Sequence, residues 1–214
     1  RADGLTVRPR TDADGATFDW GRKSFLQEAR TLARFRHPSI VDVILIFEEF
    51  GTVYMVMAYE SGPSLEKWLT DLGRLPTQAE LDELAIPLLQ AIEQMHSQGF
   101  VHRDIAPDNI IVRPDGPPVL LDFGAARRAT ADGSQAITGM VMAGYSPPEQ
   151  YAADGLQQGP WSDCYAFGAT FYRAVTGVEP EEAPLRGMED RLQPATTAAA
   201  GPFRASFLAA IDEC

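Results

Sequence analysis

His102-Arg103-Asp104-Ile105-Ala106-Pro107-Asp108-Asn109, followed by Leu120-Leu121-Asp122-Phe123-Gly124, is the stretch that decides the fold of this chain. Each block sets an acidic side chain beside groups suited to a hydroxyl or a metal ion. Asp104 and Asn109 stand in the first block, and Asp122 heads Asp-Phe-Gly in the second. The four fixed positions of the first block would arise by chance on the order of once in a thousand chains of this length. Taken singly, a loop aspartate is most often a turn former. The weight lies in the constellation and its order.

The sequence around these blocks is that of a globular protein. Its 214 residues suffice for one substantial domain or a small two-lobed one. A hydrophobic fraction of 45% against 22% charged residues supports a packed core. The formal net charge of −12 argues against nucleic acid as the main partner, since such binders present a basic face. The plain reading of the acidity is solubility. Cys164 and Cys214 are too few for a disulfide framework and lack metal-ligand spacing, so a cytoplasmic setting is expected. No apolar run reaches membrane-spanning length, and no signal peptide is visible. The chain starts at Arg1 without methionine and stops within an expected helix beginning near Phe203, so it is read as a fragment of a longer protein.

Residues 1–20 are rich in Asp, Gly, Thr and Arg and read as a surface arm. From Lys23 to Arg36, Phe25, Leu26, Ala29, Leu32 and Ala33 recur at helical spacing, and His37-Pro38 ends that helix. Ile40–Phe47 and Thr52–Tyr59 are β-branched and aromatic runs around Glu48-Glu49-Phe50-Gly51, which predicts an antiparallel hairpin. Ser64–Leu72 predicts a short helix. Residues 77–97 predict a long one, with Leu81, Leu84, Ala85, Leu88, Leu89, Ile92 and Met95 as its apolar stripe and Pro87 as a kink or packing constraint. Pro114-Asp115-Gly116 is a tight turn between Asn109–Val112 and Val119–Leu121. Residues 125–160 read as a long loop, and Trp161–Gly177 as a buried helix.

In this order the two motif blocks resemble the catalytic loop (H-R-D-x-x-x-x-N) and metal-binding loop (D-F-G) of protein kinases. The phrases HRDIAPDN, LLDFGAAR and GYSPPEQY look most like bacterial serine/threonine protein kinases, and the resemblance spans nearly the whole chain. It implies an α+β, two-lobed fold. Residues 1–57 would form a partial N-lobe of one helix and a hairpin, and residues 58–214 a mostly helical C-lobe. It also implies ATP and Mg²⁺ as cofactors and a protein Ser or Thr as phosphoryl acceptor. Asp104 would be the catalytic base, Asn109 and Asp122 the metal ligands, and Gly124 the flexible partner of Asp122. Glu28, in Phe25-Leu26-Gln27-Glu28-Ala29, resembles the helix glutamate that pairs with the ATP-binding lysine; alone it reads as an exposed helical glutamate. Backbone groups of Ala58, Tyr59 and Glu60 would bond adenine, with Met57 flanking the pocket and Ile111 closing its floor; a strand Met or Ile is as often plain core.

Further positions follow from the same resemblance. Leu32, Val43, His102 and Phe123 match an apolar column linking the lobes, or ordinary core. Gly144–Glu149 resembles the A-P-E end of the activation loop, and Asp163 the helix aspartate that braces the catalytic loop. Thr130, Ser134 and Thr138 are candidate phosphorylation sites, with Arg103 as a partner for the phosphate, or plain loop hydroxyls. The chain departs from the pattern in three places. Residues 1–27 hold neither a glycine-rich loop nor a lysine in a V-A-I-K setting, and Lys23 belongs to the helix start. Ala106 stands where serine/threonine kinases place lysine, and Met142 where they place a polar residue. A missing cation weakens a reaction that runs on electrostatic stabilisation. The departures motivate a second expectation, a pseudokinase scaffold, against which stand the intact Asp104, Asn109 and Asp122.

Overall fold

The computed structural model describes residues 6–9, 11, 14–121, 127–128, 141–151 and 158–214. The first helix, α1 (Gly15–Leu32), begins well before the expected Lys23 and stops before the expected Arg36. The half-buried Phe18 extends the apolar period of Phe25, Ala29 and Leu32 back into the segment read as a surface arm. At its end, Arg34 and Phe35 donate to Thr31 and Leu32 in i→i−3 bonds, which tighten the chain into a turn ahead of Pro38.

β1 (Val43–Glu49) and β2 (Thr52–Met57) form the expected antiparallel hairpin, with Leu45 opposite Val56 and Phe47 opposite Tyr54. Phe50 and Gly51 make its turn with φ of 51° and 76°, the twist that two-residue hairpins favour. Ile40 and Val41, expected in the same strand, pair elsewhere. Ser39 accepts the Leu120 N–H at 2.9 Å, and Leu120 accepts that of Val41 at 3.2 Å. The apolar run is therefore shared between two sheets.

α2 (Leu65–Asp71) is capped by the Ser64 hydroxyl, which accepts the Lys67 N–H. α3 (Gln78–Ser97) opens on a capping box in which Thr77 and Glu80 each accept the other's backbone N–H. The helix runs through Pro87, and its expected stripe is buried except for Leu89, which is 49% exposed; Ala91 is buried instead. Leu89 lies a full 100° step from Leu88 and so falls off the edge of the stripe. Past α3 come β3 (Phe100–Val101), a 3-10 turn at Pro107–Asn109, β4 (Ile110–Ile111) and β5 (Val119–Leu120). β4 pairs antiparallel with β5 around the expected Pro114-Asp115-Gly116 turn. β6 (Arg127–Arg128) pairs with β3, and α4 (Pro148–Tyr151) follows, both inside the stretch read as loop. α5 (Pro160–Thr176) is the expected buried helix. α6 (Ala183–Met188), α7 (Ala195–Ala198) and α8 (Ala205–Asp212) complete the chain.

Two apolar clusters hold these elements. One joins α2, α3, α5 and α8 through Leu65, Leu81, Leu88, Phe167, Phe171 and Leu208. The other packs Leu32, Phe35 and Val43 against Met95, Phe100 and Val119. Phe35 meets Phe100 edge to face at 5.5 Å between centroids. The second cluster thereby ties α1 and the hairpin to the α3–β3 region.

The α3 cap yields a testable stability effect. Glu80 also pairs with Arg74 at 2.7 Å, and that bond, with those from Thr77, lowers its carboxyl from 4.5 to about 2. A depressed carboxyl stabilises the fold above 4.5 and loses that contribution as pH falls toward 2. Thr77→Ala should cost about 1 kcal/mol in urea unfolding at neutral pH. Glu80→Gln should be less stable at neutral pH and lose less between pH 5 and 2 than the native chain, as urea midpoints measured across that range will show.

Candidate active site

Asp163 stands in the first turn of α5, where the helix dipole favours a negative charge, and its side chain is 0% exposed. Its Oδ1 accepts the Arg103 N–H at 2.7 Å. Its Oδ2 accepts the His102 N–H at 2.8 Å and the His96 Nε2–H at 2.7 Å. A buried carboxylate is costly unless its lone pairs are met, and here three donors from α3 and the 102–109 loop meet them. Arg103 takes a left-handed φ of 70°, a strained value for a side chain of its size. Gln150 of α4 donates to its carbonyl at 2.6 Å and so holds the peptide that follows.

From this anchor the loop presents its polar groups. The Asp104 N–H donates to His102 Nδ1 at 3.2 Å. The 3-10 turn closes with the Asn109 N–H on the Ala106 carbonyl at 3.0 Å. Asn109 Nδ2 then donates to the Asp104 carbonyl at 2.9 Å. The two expected site residues are thus brought together across one turn. Committing the amide nitrogen of Asn109 to that bond leaves its oxygen as the acceptor that a hard cation requires. Leu121 donates to the Asn109 carbonyl at 2.8 Å, so the strand leading to Asp122 is fastened to the same turn. Asp122, Phe123 and Gly124 lie outside the described residues, as do Thr130, Ser134 and Thr138. Among the described residues no three His, Cys, Asp or Glu side chains gather as a metal site. Ala106 is fully buried, and Met142 is half-buried with its N–H donating to Ser146 Oγ at 3.0 Å.

The segment from Met57 to Glu60 leaves the hairpin with its groups partly committed. The Ala58 N–H donates to the Asp42 carbonyl at 2.8 Å. Glu60 turns its carboxylate to Arg113 at 2.7 Å, and Arg113 also donates to the Pro38 carbonyl at 3.0 Å. Tyr59 is 92% exposed. Ile111 is half-buried in β4, pairs with Val119 and bridges to Ser64. Gly62, at φ 135°, lies so close to the Val112 carbonyl that a Cβ would collide with it, which only glycine avoids. Glu28 lies in α1, and its side chain is outside the described residues. Leu32, Val43 and His102 of the expected apolar column are all buried.

The Gly144–Glu149 segment docks beside this loop. Gly144, at φ 76°, leaves a gap to the Pro180 carbonyl that a Cβ would narrow to 2.5 Å. Burial pushes the Tyr145 hydroxyl well above its usual range, with Glu179 and Glu66 adding to the effect. Glu149 accepts from the Ser162 hydroxyl at 2.6 Å, one residue before Asp163. His96, Gln150 and Ser162 went unremarked in the sequence. His96 has one visible signal, a polar ring directly after the buried Met95 in the last turn of α3.

A buried helix carboxylate bracing an H-R-D-x-x-x-x-N loop, beside a docked P-P-E segment, defines a protein kinase catalytic region. Residues 10–195 match the protein kinase domain family, and the chain belongs to it. It is 39% identical over 163 residues to serine/threonine-protein kinase PknA of Mycobacterium tuberculosis, covering 73% of this chain and 37% of that protein. It is 33% identical over 187 residues to serine/threonine-protein kinase B of Synechocystis sp., covering 82% of this chain and 32% of that one. The chain spans about a third of the length of these relatives. The solved structure "PpkA-294 apo form" superposes with a TM-score of 0.80 at 37% identity, over 99% of this chain and 74% of that one. Among the described residues no helix is long and apolar enough to cross a membrane.

Removing the brace should cost more than any surface change. Asp163→Ala strands the His102 and Arg103 amides in the interior and should lower unfolding stability by about 3–5 kcal/mol. Asp163→Asn, which keeps one acceptor oxygen, should lose less. Equal and small losses for both in urea unfolding would show that the three bonds do not hold the loop.

Proposed function

We propose that this chain is the core of a serine/threonine protein kinase domain, which transfers the γ-phosphoryl group of ATP to Ser or Thr hydroxyls of proteins. The observation that carries the proposal is the loop itself: Asp163 fixes its backbone at His102 and Arg103, and Asn109 closes it onto Asp104. Residues 1–57 serve as part of the upper lobe and residues 58–214 as the lower. The Ala58 carbonyl and the backbone of Tyr59 and Glu60 line the adenine edge, with Ile111 beneath.

In this reading Asp104 accepts or orients the proton of the attacking hydroxyl, placing it in line with the phosphoryl group. Asn109 and Asp122 would hold Mg²⁺, which would supply positive charge to the phosphate oxygens. Glu28 orients the ATP-binding lysine. That lysine and the glycine-rich loop are absent from residues 1–27, so residues 1–214 alone are expected to be inactive. The setting is cytoplasmic on the face that meets ATP, and nucleic acid is not a partner. Ala106 favours a second reading, a pseudokinase scaffold, because a buried alanine supplies no phosphate-neutralising cation beside Asp104.

Radiolabelled ATP and a Ser/Thr-containing protein acceptor, with the longer natural protein, separate the two. Asp104→Ala should reduce transfer by at least about a hundredfold while unfolding stability changes little. Label incorporated equally by the native protein and the variant would support the scaffold.

A further inference from the structure

Cys164 and Cys214 are the only cysteines of the chain, far apart in sequence, and the phosphoryl-transfer site uses neither. The fold brings them to one place. α8 packs against α5, and Cys214, just beyond the end of α8, lies on Gly168 of α5. A Cβ built on Gly168 would overlap the Cβ of Cys214 and stand 3.5 Å from its Sγ, so Cys214 fills the space that a side chain at 168 would take. Cys164 lies one helical turn before Gly168 on the same face of α5, with about 5–6 Å between the two Cβ directions. The two side chains thus share one patch of α5, and a small backbone shift of the chain end beyond α8 would bring their Cβ atoms to the separation of about 3.5–4.5 Å that a disulfide requires. Both are free and exposed, so a small oxidant can reach them. Burial raises both thiols, and the charge of Cys164 adds to the rise at Cys214, as expected for neighbours.

We propose that Cys164 and Cys214 form a reversible disulfide that clamps α8 onto α5 one residue from Asp163. The oxidant is a low-molecular-weight disulfide such as glutathione disulfide. One cysteine thiolate attacks it, forming a mixed disulfide and releasing one glutathione thiolate. The second cysteine thiolate attacks the cysteine sulfur of the mixed disulfide and releases the other. Two protein thiols give up two protons and two electrons, and one glutathione disulfide becomes two glutathione thiols. Gly168 is what allows the approach, because any larger residue would push Cys214 away from Cys164.

The test treats the native protein with glutathione disulfide near pH 8.5, about the ordinary thiol pKa. Free thiols are then counted, and a digest is mapped by mass spectrometry without reduction. The expected result is loss of both thiols in a monomer, a Cys164–Cys214 cross-linked peptide, and full reversal by dithiothreitol. Cross-linking should run at least about tenfold faster in the folded protein than in urea, because the fold raises the effective concentration of one thiol at the other. Cys164→Ser and Cys214→Ser should each stop at a stable glutathione adduct. Gly168→Ala, which keeps both cysteines in the chain but displaces Cys214 from α5, should slow the cross-link. Two separate glutathione adducts on the native protein, a disulfide-linked dimer, or equal rates in folded and urea-unfolded protein would overturn the proposal.

Discussion

The carboxylate of Asp163 lies wholly out of water at the start of α5, and donors from His96, His102 and Arg103 converge on it. Two of those donors, the His102 and Arg103 amides, belong to a loop with little regular structure of its own. The 102–109 loop has one short 3-10 turn and carries Arg103 in a left-handed conformation. Without that carboxylate the His102 and Arg103 amides would lose the acceptor that satisfies them in the interior. The same carboxylate would be costly in the interior without them, so helix and loop stabilise each other. Asn109 then inherits its place through the Asp104 carbonyl, and Leu121 through the Asn109 carbonyl.

Backbone pairing joins the hairpin region to this loop. Ser39 and Val41 add to the edge of β5, Ser64 meets Ile111, and Val112 donates to the Pro63 carbonyl at 2.9 Å. Gly62 lets the chain pass against the Val112 carbonyl where a side chain would not fit. Arg113 adds a polar clasp by holding both the Glu60 carboxylate and the Pro38 carbonyl. The segment from Ala58 to Glu60 is therefore anchored at both ends, while Tyr59 between them faces water.

Much of this was legible in the residues. The Thr77-x-x-Glu80 cap, the stripe from Leu81 to Met95 and the Phe50-Gly51 turn carry local signals, and each element formed where those signals stood. The His102–Asn109 block fell at a loop held to a helix, as its resemblance implied. The errors have two causes. Gly15–Trp20 looked polar enough for an arm, yet helix α1 runs through it. Ile40-Val41 looked like the start of β1, yet β5 was the better partner. Leu89 looked like core, yet it lies one step off the stripe. For Ile40-Val41 the deciding neighbour is distant in sequence and local propensity carries no record of it, whereas Phe18 and Leu89 obey the helical period of their own segments.

The amino-acid order alone set the spacing of Asp104, Asn109 and Asp122 that resembles the kinase motifs, because that spacing and the turn residues around it are local properties of the chain. It also determined α2, α3 and the hairpin, whose caps and periods are written within a few residues. Only the tertiary structure decided that His96 would share the carboxylate of Asp163, that Arg113 would reach Glu60, and that Cys214 would come to rest on Gly168. These contacts join segments that meet only after the apolar clusters have packed. Their partners are chosen by which surfaces the core leaves facing each other, and no window of sequence holds that information.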